Sequence, residues 1–98
     1  MTTIRSFNDI PDALVASVEQ GGLVVTEADL CLEFFDLRTG LAGELLQKCV
    51  NYGARLAIVL PDPKAYGERF SELVYEHRTH AVIRFFSSES DARQWLQR

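Results

Sequence analysis

The stretch "ARLAIVL", residues 54–60, constrains this chain more than any other. An apolar run of strand length has no alternating face for water, so it must be covered on both sides, as in a parallel or mixed sheet. Gly53 precedes the run and Pro61 and Pro63 stop it. Around it, helical and strand patterns alternate. "TTIRSF", residues 2–7, is short and β-prone. "NDIPDALVASVEQGG" predicts a helix, with Asn8 or Asp9 as cap, Pro11 in the first turn and Ile10, Leu14 and Val18 on one face. Gly21 and Gly22 end it.

"LVVTEAD", residues 23–29, predicts a strand, and "CLEFFDLRTG" the connector after it. Its Leu32, Phe34, Phe35 and Leu37 are expected to pack down. The helix that follows has the sharpest pattern. Leu41, Leu45 and Cys49 form one row and Ala42, Leu46 and Val50 the next, with Gln47, Lys48 and Asn51 opposite. "AYGERFSELVYEHR" carries Tyr66, Phe70, Leu73 and Val74 at helical spacing, and "AVIRFF" predicts the last strand. "SSESDARQWLQR" closes the chain, with Ser88 and Asp91 at capping-box spacing and Ala92, Trp95 and Leu96 inward.

The predicted order is β-α-β-α-β-α-β-α. It implies an α/β fold of two layers, with a four-stranded, mostly parallel or mixed sheet and about four helices. At 98 residues, 47% hydrophobic and 24% charged, residues 1–98 fit one globular domain. A domain of this size buries roughly 65% of its unfolded surface, enough for one core. Leu41, Leu45, Leu46, Ile58 and Trp95 are the expected core.

Charge narrows the partners. A net charge of -4 with scattered basic residues argues against nucleic acid. "MTTIRSFNDI" has no long apolar run, so membrane insertion and secretion are not expected, and the reading is cytoplasmic. Cys31 and Cys49 are then free, buried apolar residues rather than a disulfide.

Catalytic and metal readings find little to stand on. His77 and His80, three apart, would need Glu76 or Glu72 to complete a metal set, and they match no ligand motif. No metal and no cofactor are expected. A Cys31 or His77 hydrolase is the weakest of the functional readings. "GLAGELL" is neither a dinucleotide fingerprint nor a phosphate loop.

The turn "EFFDLRTG", residues 33–40, is the candidate surface. Asp36 or Thr39 is placed to cap the helix starting near Gly40. A helix start also attracts anions, Gly40 permits close approach and Arg38 adds positive charge. Phosphorylation of Thr39 would alter the surface by nearly two charges. The expected contact residues are Glu33, Asp36, Arg38, Thr39, Gly40 and Glu44, meeting either a protein partner or a small anionic ligand.

"EFFDLRTGLAGELLQKCVNYGARLAIVL", "ERFSELVYEH" and "FFSSESDARQWL" together resemble the DUF4180 family, bacterial domains of uncharacterised function, from about Ile10 to Leu96. The pattern is most specific from Phe34 to Leu46. More remotely, the β-α order with Thr-Gly at a helix start is similar to STAS domains, the anti-sigma-factor antagonist group. That likeness implies Thr39 as a phosphate acceptor, Gly40 as its following glycine and Asp36 as the loop acid. The chain departs from the antagonist pattern in having both Leu37 and Arg38 between acid and acceptor. It also offers only residues 2–7 before the first helix, which would leave a sheet edge for a homodimer partner or another segment to cover. The resulting expectation is a non-enzymatic regulatory module.

Overall fold

The strand at Leu56–Val59 (β2) is buried at every position and lies in the middle of a sheet, with a parallel neighbour on each side. The computed structural model describes residues 2–97; Met1, and Arg98 at the end of the closing segment, lie outside it. Leu23–Thr26 (β1) pairs with β2 on one side and Ile83–Phe86 (β3) on the other. In register, Leu23, Leu56 and Ile83 form one row across the sheet and Val25, Ile58 and Phe85 another. Because strand side chains alternate, both rows point to one face.

That face carries the larger core. Against it pack Ile10–Gln20 (α1), the single turn Leu32–Phe35 (α2), Leu41–Tyr52 (α3) and, through Phe70, Glu68–Glu76 (α4). The other face presents Val24, Ala57, Val59 and Phe86, covered by Ala92 and Trp95 of Glu89–Leu96 (α5). The layers are therefore helix, sheet, helix, rather than the two expected. The reason is β2, whose Ala57 and Val59 need a cover of their own.

Three strands, not four, form the sheet among the described residues. Residues 2–7 supply one isolated parallel bridge, Ile4 to Leu30, and then a 3-10 turn at Phe7–Asp9. The carboxylate of Asp9 stops extension by accepting from the backbone N–H groups of Arg5 (2.8 Å) and Ser6 (3.2 Å). Asp9 thus caps the turn before α1 rather than α1 itself. Strand β1 also ends early, at Thr26, because Asp29 turns back to accept from the Thr26 backbone N–H at 2.9 Å.

Two predicted faces shift. Helix α1 buries Ile10, Ala13 and Ser17, while Val18 is 65% exposed. Ser17 is buried without cost because its hydroxyl donates to the Arg55 carbonyl at 2.7 Å. In α3, Leu41, Ala42, Leu45, Leu46 and Cys49 are buried as the pattern predicts, but Val50 is 44% exposed. The five residues expected in the core are all buried. At the C-terminal end, Ser88 Oγ accepts from the Asp91 N–H at 3.2 Å and starts α5.

Candidate functional site

Between β1 and α3 the chain runs through α2 and a 3-10 turn at Leu37–Thr39. Phe34 and Phe35 anchor this segment, each meeting Phe70 of α4 edge-on, while Phe35 stacks on Tyr66 with centroids 3.8 Å apart. These aromatic contacts fix the backbone from which the polar residues project. Leu32 does not join them; it is 81% exposed, because the single turn of α2 spends its inward positions on the two phenylalanines.

Asp36 and Arg38 form a forked pair, with Arg38 Nε donating to one carboxylate oxygen at 3.0 Å and Nη2 to the other at 3.1 Å. Asp36 also accepts from the Arg38 backbone N–H, so it caps the 3-10 turn. These hydrogen bonds hold the Asp36 carboxyl below the ordinary carboxylate range and raise the Arg38 guanidinium. The pair is solvent-facing and adds little to stability.

Thr39 does the capping of α3. Its Oγ1 accepts from the Leu41 N–H at 3.2 Å and lies 2.7 Å from the Glu33 carbonyl and 2.9 Å from that of Asp36. A hydroxyl has one proton, so those two carbonyls share it. Gly40 makes the corner with φ of 80°, a left-handed conformation that side chains disfavour. The Phe7 ring lies 3.9 Å from where a Cβ on Gly40 would sit.

The six predicted residues therefore divide. Asp36 and Arg38 rim an open cleft of about 790 Å³ whose floor is Phe35 and Tyr66 and whose far wall is Glu68, Arg69 and Phe70 at the start of α4. Thr39 and Gly40 build the helix corner outside that cleft. Glu33 contributes its carbonyl to that corner. Glu44 sits on exposed α3 surface and pairs loosely with Lys48 at 3.7 Å. The helical spacing that runs from Tyr66 through Val74 hides the α4 wall, because it joins two elements into one. Gly67, at φ of 99°, breaks that helix and separates a 3-10 turn at Pro63–Tyr66 from α4, and that glycine was the available signal.

The catalytic candidates have other work. Cys49 is buried, and burial pushes its thiol up to about 11. Cys31 Sγ donates to the Arg5 carbonyl at 3.4 Å. His77, at the end of α4, places Nδ1 2.8 Å from the Leu73 carbonyl, and His80 Nδ1 accepts from the N–H groups of Val82 and Ile83. Among the described residues no three His, Cys, Asp or Glu side chains converge as a metal site, and no helix is long and apolar enough to cross a membrane.

Neither the curated proteins nor the solved structures contain a match to this chain. A family model does match, spanning residues 1–96, and its description is a domain of unknown function. The chain belongs to the DUF4180 family.

Proposed function

We propose that the chain is a non-enzymatic interaction module of the bacterial cytoplasm that receives a protein partner in the cleft between residues 32–38 and the start of α4. The observation that carries this reading is Leu32, 81% exposed at the mouth of a cleft floored by the Phe35–Tyr66 stack. A large aliphatic side chain beside an aromatic floor is what a partner's apolar residue would dock against. Asp36, Glu68, Arg38 and Arg69 give the walls both signs of charge, which suits a peptide segment better than a polyanion. The two free cysteines suit a reducing compartment.

The STAS-like reading adds a switch at Thr39, which is exposed. A phosphoryl group would take away the proton shared by the Glu33 and Asp36 carbonyls and set nearly two negative charges beside them. The turn carrying Asp36 and Arg38 would then rearrange. The rival reading, a small anion at Gly40, has less support, since the Leu41 N–H is already taken by Thr39 and the Phe7 ring lies alongside.

The test is affinity capture from native cytoplasm with wild type, Leu32→Glu and Thr39→Glu as baits, each shown folded by circular dichroism. A partner held by wild type should drop at least about tenfold with Leu32→Glu, the loss expected for an interface anchor. Loss with Thr39→Glu as well supports the switch. Equal capture by wild type and Leu32→Glu removes the cleft from consideration.

A further inference from the structure

A second exposed apolar surface lies away from this cleft. Helices α1 and α3 border a groove of about 630 Å³ lined by Leu14, Val15 and Val18 of α1 and Tyr52 of α3. Val15, Val18 and Tyr52 are each more than half exposed. Two charges flank the strip, Glu19 on α1 and Lys48 on α3. They do not pair within one chain, because Lys48 leans toward Glu44 at 3.7 Å and no ion pair involves Glu19 among the described residues.

We propose that this α1–α3 face is where two copies of the chain associate. The argument is self-complementarity. In a twofold dimer, residue i of one copy meets residue j of the other and j meets i. A strip bearing one acid on one helix and one base on the neighbouring helix satisfies that condition with itself: α1 set against the partner's α3 brings Glu19 to Lys48 twice. The aliphatic strip between them supplies the apolar centre, and the two ion pairs fix the register. The face shares no lining residue with the residues 32–38 cleft.

The experiment is sedimentation equilibrium of the full chain across a wide concentration range. Wild type is expected to move from 11.1 kDa toward twice that mass. Glu19→Lys alone and Lys48→Glu alone place like charges at both contacts, and each should weaken association about tenfold or more. Both substitutions are on the surface, and circular dichroism checks that the fold is kept. Mixing the two single variants in equal amounts should restore the dimer. The base introduced on α1 of one copy then faces the acid introduced on α3 of the other, and the unaltered Lys48 and Glu19 face each other. Wild type that stays at 11.1 kDa throughout overturns the proposal. So does a dimer that both single variants form as tightly as wild type, which would put the interface elsewhere.

Discussion

Helix α5 covers one sheet face, and a single side chain, Arg55, reaches its C-terminal end. Arg55 enters from the residue before β2. Its Nη2 donates to the Trp95 carbonyl at 2.9 Å and its Nη1 to the Leu96 carbonyl at 3.2 Å, so it bonds the last two carbonyls of α5. The guanidinium also lies 4.4 Å from the centroid of the Trp95 ring. The perturbation is Arg55→Met, which keeps an aliphatic stem and deletes the fork. Each charge-assisted hydrogen bond is worth about 1 kcal/mol here, below the usual range because water can reach the freed carbonyls at the helix end. The ring contact adds about 0.5–1 kcal/mol. The sum, roughly 2.5–3 kcal/mol, corresponds to a fall in Tm of roughly 10–20 °C for a domain of this length. Arg55→Lys, which keeps the charge and loses the planar fork, should recover less than about half of that. Thermal unfolding measures the stability, and the fluorescence of Trp95, the chain's one tryptophan, reports the local release. If Arg55→Met melts within about 2 °C of wild type with unchanged emission, α5 is held by the burial of Ala92 and Trp95 and the clamp argument is wrong.

Further outcomes follow from the packing. Leu45→Ala, at a fully buried position of α3, should cost about 2–5 kcal/mol in urea unfolding, and a wild-type midpoint would contradict the assigned face. His80→Leu should cost about 2 kcal/mol by stranding the Val82 and Ile83 N–H groups, while His80→Asn, which restores an acceptor, should lose less than half of that. The buried Cys49 thiol, pushed from 9.0 to about 11, ionises first in the unfolded chain. Between those pH values the unfolded state therefore binds fewer protons and stability falls as pH rises, by up to about 3 kcal/mol. Cys49→Ala should flatten that fall in urea unfolding carried out at both ends of the window, and an unchanged slope would place the thiol in water.

The elements that were readable in the sequence share a physical property: their packing follows from large apolar residues. Strand β2 and the rows of α3 are of this kind, and so are Phe34, Phe35 and Phe70. The first helix is not. Ranking its residues by hydrophobicity selects Ile10, Leu14 and Val18, yet the buried set is Ile10, Ala13 and Ser17. Small residues let a helix approach the neighbouring backbone, and Ser17 gains a hydrogen bond there that no apolar side chain could make. Periodicity weighs oiliness and cannot weigh closeness of approach. The same limitation applies at residues 32–38, where the apolar pattern leads Leu32 to be expected to pack down although the single turn of α2 has only enough inward positions for two aromatic rings. In both places the error took one form: an aliphatic side chain assigned to the interior stands in water. A helix that turns its small residues to the core and Val15 and Val18 outward has an apolar face that its own fold does not use, and the proposed association of two chains rests on that mismatch.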